Sequence, residues 1–199
     1  MKAGLVALLL VCLCNHVSAA RPAQAGSVNP TNAGISQMIT DLNSTDANER
    51  GQAKRELLIA AKRSARARSR VTDALIKVLN SADTSPETWY DAADLVGNLR
   101  ATEAVDALIS HLDYNDGTVG FSSSHFPAVR ALTRIGQPAV PKLIRALSEG
   151  RPSVRARAAQ ALGSIGGAQA REALKRALTT ETDRGTAMYI RSVLGSRGN

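Results

Sequence analysis

Apolar residues recur along most of the chain at the spacing of one face of an α-helix. The clearest stretch covers residues 137–178 and reads QPAVPKLIRALSEGRPSVRARAAQALGSIGGAQAREALKRAL. An apolar residue at positions i, i+3, i+4 and i+7 predicts a helix with one buried face, and this stretch begins with such a set: Val140, Leu143, Ile144 and Leu147. The segment 149–152 contains Gly and Pro, so it ends this helix and starts another.

The next apolar stripe in the same stretch predicts the partner of that helix. It runs from Val154 to Ile165, and Gly166-Gly167 follows it, as in an αL C-cap. The pattern then begins again, because the LIRAL run ending at Leu147 aligns with the LKRAL run ending at Leu178, 31 residues later. A helical hairpin repeated at this interval is typical of a helical repeat protein.

Two interleaved series of apolar residues extend the repeat over residues 35–199. The ends of the first helices are 37, 33, 35 and 31 residues apart: Leu42, Leu79, Leu112, Leu147 and Leu178. Equivalent positions in the second helices are 39, 36, 30 and 32 residues apart: Leu57, Val96, Leu132, Leu162 and Leu194. The agreement predicts an all-α fold, an armadillo-like α-solenoid of about five helix pairs.

Three connections in this array have distinct sequences. The basic run at residues 62–70 fits either a tight turn or one continuous helix, and we favour a break near Ser64. Ser85 and Pro86 fit the N-cap and the first position of a helix. Residues 113–126 form the one long predicted connection, between a helix at 102–112 and a helix at 127–136.

A short pattern recurs in the predicted second helices. Its clearest form is LGSIG at residues 162–166, preceded by Val154-Arg155 and Ala158-Ala159. Related runs are Ala92-Ala93 followed by VGNL at 96–99, ALTRIG at 131–136, and Leu194-Gly195. Over residues 35–194 this pattern resembles HEAT repeats, specifically the short class found in phycobilisome-lyase-type proteins. The first repeat departs most from the pattern, because Lys54 and Glu56 replace alanines.

The resemblance implies a binding scaffold, since most proteins with such repeats look like scaffolds. Deoxyhypusine hydroxylases, an enzymatic branch, use His-Glu pairs as iron ligands, and this chain contains no His-Glu dipeptide. A bilin-lyase-like activity is a remote alternative. We therefore expect no catalysis and no cofactor.

The N-terminus has the pattern of a cleavable export signal. Lys2 precedes an apolar run from Ala3 to Cys14, and Val17-Ser18-Ala19 fits a cleavage site. We expect residues 1–19 to be removed, residues 20–34 to form a flexible leader, and residues 35–199 to form the repeat domain of a periplasmic or secreted protein. Both cysteines lie in the predicted signal, so the mature chain would have no disulfide.

Charge is distributed in blocks. The chain has a formal net charge of +8. Basic residues outnumber acidic ones by 9 to 2 in residues 50–80 and by 13 to 4 in residues 118–199, whereas residues 81–117 have 1 basic and 8 acidic residues. The blocks fit either ordinary solvated faces or a surface for an anionic partner such as a polyanion or lipid.

Histidines and carboxylates give no metal or catalytic motif. In the mature chain His111 and His125 lack further ligands at helical spacing, and the run from Asp113 to Gly117 lacks the closing Glu of an EF-hand. A serine run precedes His125, but no nucleophile elbow is present. We expect neither a catalytic site nor a bound metal.

Five of the six aromatic residues come from two adjacent repeats, which suggests a recognition cluster or a plug in the core. Glu87, Asp91 and Asp94 form an acidic stripe that could bind a basic partner or pair internally with Arg130 or Arg134. We expect an unidentified protein partner to bind the concave face through eight residues: Trp89, Tyr90, Asp94, Tyr114, Phe121, Phe126, Arg130 and Arg134. A monomer is favoured, although apolar residues of the last helix, including Met188 and Tyr189, suggest a dimer as an alternative.

Overall fold

A computed structural model of the chain describes residues 32–114 and 126–196. These residues form ten α-helices and no strand: α1 (Asn32–Leu42), α2 (Ala47–Lys62), α3 (Ala65–Asn80), α4 (Pro86–Asn98), α5 (Val105–Ser110), α6 (Pro127–Ile135), α7 (Val140–Glu149), α8 (Pro152–Ile165), α9 (Ala168–Thr180) and α10 (Arg184–Gly195). The first helix thus begins inside the segment predicted as a leader. None of the helices in these ranges has both the length and the apolar character that a membrane crossing requires.

The helices pack as five antiparallel pairs in two rows. Each odd-numbered helix contacts the even-numbered helix that follows it. The odd-numbered helices also contact one another in chain order, and so do the even-numbered helices. This arrangement confirms the predicted α-solenoid of about five helix pairs.

The hydrophobic core runs between the two rows. Side chains that repeat at the predicted positions are fully buried there: Leu42, Leu57, Leu79, Val96, Leu112, Leu132 and Leu162. The equivalent residues of the last pair, Leu178 and Leu194, are only partly buried. They are the members of the two series with no following described repeat to cover them.

Side-chain caps fix the helix starts that the sequence predicts. The Ser64 hydroxyl accepts a hydrogen bond from the backbone N–H of Ala67 at 3.1 Å, so the chain breaks between α2 and α3 as predicted. Helix α3 nevertheless starts at Ala65, six residues before the apolar stripe begins at Val71. Ser85 caps α4 in the same way, and Pro86 occupies its first turn.

The structure differs from the prediction in the third helix pair. The predicted helix at 102–112 is shorter: a 3-10 turn at Thr102–Ala104 leads into α5, which ends at Ser110. Of the long connection at 113–126, the structure describes only Asp113, Tyr114 and Phe126.

The cap after α8 is also not the predicted αL cap. Gly166 has φ of 75° and ψ of −163°, and Gly167 has φ of 92° and ψ of 163°. Both residues therefore have the positive φ that favours glycine, but with an extended ψ. This backbone conformation turns the chain directly into α9.

Candidate partner-binding face

The even-numbered helices expose one continuous surface, which we call the second-helix face. On α4 its residues point away from the buried residues Ala92, Ala93 and Val96. They are Glu87, Tyr90, Asp91, Asp94 and Asn98, and all of them are exposed or half-buried. Solenoid repeats commonly bind their partners on an extended surface of this kind.

The predicted aromatic contacts divide into core and surface residues. Trp89 is only 5% exposed and Phe126 only 4% exposed, so the structure favours the alternative that these two predicted contact residues plug the core. Their large apolar surfaces are needed in the core instead. Phe121 lies outside the described residues.

Trp89 is held in the core by contacts on several sides. Its indole Nε1–H donates a hydrogen bond to the Leu79 carbonyl at 3.1 Å. Its ring centroid lies 4.9 Å from that of Tyr114 and 5.5 Å from that of His111, with both ring pairs tilted by 51°. Tyr114 is therefore half-buried against a core residue.

The acidic stripe on α4 pairs with cations of both neighbouring second helices. Asp91 accepts from Lys54 Nζ of α2 at 2.6 Å. Asp94 accepts from Arg130 of α6 at 2.9 Å and also pairs with Arg134. The structure thus favours internal pairing over the alternative that the stripe is free to bind a basic partner.

Four predicted site residues do meet on this face. Arg130 Nη1 donates to the Tyr90 hydroxyl at 2.5 Å, and the Arg130 guanidinium lies 5.1 Å from the centroid of the Tyr90 ring. Burial alone would raise the pKa of Asp94, but hydrogen bonding to Arg134 and the nearby positive charges outweigh it and lower that pKa. Tyr90, Asp94, Arg130 and Arg134 therefore form an ion-paired layer across α4 and α6, with one positive charge in excess.

A groove of about 540 Å³ lies farther along the second-helix face, between the N-terminal halves of α8 and α10. We call it the α8–α10 groove. Met188 is 58% exposed there, while Tyr189 is half-buried. The other lining residues are small or polar, apart from Arg157: Pro152, Ser153, Ala156, Asp183, Gly185, Thr186 and Ser192.

Arg157 forms one wall of the groove. Its guanidinium lies 3.6 Å from the centroid of the Phe126 ring and 5.9 Å from that of Tyr189. Burial lowers the pKa of Arg157 and raises the pKa of Tyr189. Both polar groups are thus partly removed from water, which strengthens their interaction with a bound group.

The sequence predicted only part of this groove. The sequence identified Met188 and Tyr189 as apolar residues of the last helix. It did not identify Arg157 as a candidate residue. The groove joins side chains about one repeat apart, so only the stacking of α10 on α8 brings them together.

A known protein family matches the part of the chain that contains α8 and α10. Residues 127–194 match the family model for HEAT repeats. This segment is therefore similar to HEAT repeats. It includes α6 to α9 and all but the last residue of α10, and the preceding helices continue the same paired arrangement.

Two solved structures illustrate what the chain is similar to. CpcE and CpcF of phycocyanin lyase from Nostoc sp. PCC7120 form a complex whose chain shares 22% identity, with 89% of this chain and 70% of that chain covered and a TM-score of 0.43. A designed armadillo repeat protein in complex with the peptide (KR)4 shares 17% identity, with 82% of each chain covered and a TM-score of 0.40. No curated protein matches the chain.

Asp113 and His111, two side chains of a kind that could bind a metal, form hydrogen bonds within the protein. Asp113 accepts hydrogen bonds from Arg151 at 3.0 Å and from Ser153 at 2.6 Å, so this carboxylate is engaged by side chains around the start of α8. His111 contacts the Ala107 carbonyl through Nδ1. The ranges 32–114 and 126–196 contain no group of three potential metal ligands.

A bidentate ion pair connects the last two helix pairs. Arg155 Nε and Nη2 donate to the two carboxylate oxygens of Glu181, at 2.8 and 2.5 Å. The Glu181 side chain is only 3% exposed. Hydrogen bonding to Arg155 holds the pKa of Glu181 below its ordinary value.

We predict that Glu181→Gln lowers the free energy of unfolding at pH 7 by about 1–3 kcal/mol, because the Arg155 guanidinium loses a charged partner. The folded-state pKa of Glu181 is lowered, so its contribution is complete above the unfolded-state pKa of about 4.3 and disappears as the pH falls through the folded-state value. Urea unfolding at pH 7 and at lower pH measures both effects, and the variant should lose less stability on acidification than the wild type.

Glu149→Gln is the matched control. Glu149 pairs with Arg145 at 2.9 Å, but both side chains are well exposed, at 63% and 77%. Surface pairs of this kind contribute little. Equal losses of stability in the two variants would contradict the special role of the Arg155–Glu181 pair.

Proposed function

We propose that this chain is an exported scaffold without catalytic activity that holds a protein partner on its second-helix face. In this proposal the face is the concave surface of the solenoid, and the α8–α10 groove receives an apolar side chain of the partner. Repeat solenoids suit this role because their stacked hairpins expose a long, rigid surface. A rigid surface lowers the entropic cost of binding.

The observation that carries the proposal is the exposure of Met188 beside Tyr189 and Arg157. An exposed methionine next to an aromatic ring is typical of surfaces that bind apolar groups. Tyr and Arg are enriched among residues that dominate binding energies. The half-buried Arg157 adds a positive charge to the wall of the groove, so a partner with an apolar side chain next to a carboxylate would fit it best.

The ion-paired layer of Tyr90, Asp94, Arg130 and Arg134 has a secondary role in this proposal. Asp94 already pairs with both arginines, so replacing these residues would change binding less than replacing groove residues. The layer supplies a polar flank that hydrogen-bonds to the partner.

A random peptide library displayed on phage and selected on the full-length protein tests the proposal. We expect the selected peptides to share an apolar residue. Met188→Ser should weaken their binding by about tenfold, since it removes the exposed apolar surface of the groove. Isothermal titration calorimetry with a synthetic copy of a selected peptide measures this change.

Ile59→Ser is the matched control, because Ile59 on α2 is similarly exposed, at 55%, and lies outside the groove. It should leave peptide affinity unchanged. The proposal fails if the peptides bind the Met188→Ser variant as tightly as the wild type, or if Ile59→Ser weakens binding equally.

A further inference from the structure

Six cations lie on three segments of the fold: the end of α2, the first turns of α3 and the residues just after α4. We call this region the basic corner: Lys62, Arg63, Arg66, Arg68, Arg70 and Arg100. Arg68 Nη2 donates a hydrogen bond to the Leu99 carbonyl. This contact connects the start of α3 to the end of α4. The fold therefore adds Arg100, which is distant in sequence, to the basic run at residues 62–70.

Carboxylates are scarce in the sequence around this corner. No acidic residue occurs between Glu56 and Asp73. Within the described part of the chain, Lys62, Arg66, Arg70 and Arg100 take part in no ion pair, whereas cations of the later repeats do, including Lys142, Arg145, Arg151, Arg155 and Lys175. The basic corner thus differs from the basic C-terminal repeats, where nearby carboxylates balance several of the cations.

The position of Arg66 and Arg68 works against the stability of α3. Both lie near the N-terminus of the helix, and the first turn contains no acidic residue. Cations are unfavourable there because the helix dipole leaves partial positive charge at that end. An external anion would relieve this repulsion.

An exposed apolar side chain lies beside the basic corner. Ile59 is 55% exposed on the last turns of α2. Helical spacing places it one turn from Arg55 on one side and from Lys62 and Arg63 on the other. Cations around an exposed aliphatic side chain suit the surface of a lipid bilayer, where phosphate groups lie outside the hydrocarbon layer.

We propose that the basic corner binds the surface of a membrane containing anionic phospholipids. The cations would contact the phosphate groups while Ile59 enters the interfacial layer. Single-stranded nucleic acid fits less well, because its bases stack on aromatic rings and residues 32–88 contain none. Helices α2 and α10 belong to the first and last pairs of the solenoid, so a membrane-bound chain would leave the α8–α10 groove accessible.

Cosedimentation of the chain without its predicted export signal, residues 20–199, with phospholipid vesicles tests this inference. The vesicles contain phosphatidylcholine alone or with one-third phosphatidylglycerol. We expect binding to the anionic vesicles only, weakening as salt rises. The Lys62→Glu/Arg66→Glu variant should lose more than about tenfold in partition coefficient, since each surface cation contributes about fivefold or more.

Two matched variants keep the test specific. Arg171→Glu/Arg176→Glu makes the same change in net charge on α9 and should bind nearly as well as the wild type. Ile59→Ser should weaken vesicle binding severalfold, whereas Met188→Ser should not. Circular dichroism confirms that each variant is folded.

Three results would overturn the proposal: equal binding to both vesicle types, equal losses for the two double charge variants, or no effect of Ile59→Ser. Heparin and duplex DNA serve as competing polyanions. If either binds with the same affinity as anionic vesicles and with the same dependence on the basic corner, the site recognises polyanions in general and the assignment to membranes is wrong.

Discussion

Replacing Trp89 with alanine is expected to lower the free energy of unfolding by about 3–5 kcal/mol. The ring is 5% exposed and joins α3, α4 and the segment after α5 through its contacts with Leu79, His111 and Tyr114. Its removal leaves a cavity that the surrounding helices can only partly fill. Urea unfolding followed by circular dichroism measures the loss, since Trp89 is the only tryptophan and the variant lacks its fluorescence.

Trp89→Phe separates packing from hydrogen bonding. Phenylalanine keeps most of the apolar contacts but leaves the Leu79 carbonyl without its indole donor, so a smaller loss of about 1–2 kcal/mol is expected. A loss below about 1 kcal/mol for Trp89→Ala would show that the ring is not part of the core. The alanine variant is also unsuitable for locating a partner site, because reduced binding would reflect damage to the fold.

Replacing Gly97 with alanine is expected to lower the free energy of unfolding by about 1–3 kcal/mol. Helices α4 and α6 approach closely at this glycine, and an added Cβ would lie 2.9 Å from the Cα of Ala131 and 3.2 Å from its Cβ. The Cα belongs to a helix backbone that cannot move independently of its repeat. The two second helices would have to separate, which loosens the contact between adjacent pairs.

Gly51→Ala supplies a matched control within another second helix. Gly51 lies inside α2, and the nearest atom to an added Cβ is in the Arg55 side chain at 3.6 Å, an ordinary contact. Alanine at this position should raise stability by about 0.5–1 kcal/mol, since it favours the helix. Thermal unfolding of both variants checks the pair. Destabilisation by both changes, or by neither, would contradict the proposed close approach at Gly97.

The repeat architecture could be predicted from the sequence because each hairpin carries its own signals. Apolar spacing marks the helices, Ser64 and Ser85 mark two of their starts, and the two leucine-rich series fix the interval between pairs. These signals are local, and the stacking of similar units then determines the fold. The short α5 was missed because the change from a 3-10 turn to an α-helix depends on packing and leaves the apolar spacing unchanged.

The candidate site could be predicted only in part because it depends on contacts between repeats. The sequence showed that Asp94, Arg130 and Arg134 could pair, and the structure confirms this pairing. It could not show whether Trp89 faces the core or the solvent, since an aromatic residue fits both positions. Arg157 was missed because its significance comes from stacking on Phe126 and Tyr189, which lie in two other helical regions.

The most direct test of the central claim is an NMR titration of the full-length protein, labelled on its methionine methyl groups and backbone amides, with a peptide selected as described above. Our account predicts that the largest chemical-shift changes occur at the Met188 methyl group and at amides of residues 153–157 and 184–192, on the second-helix face. Changes confined to α7 and α9 would contradict it, because the peptide would then occupy the opposite row of helices.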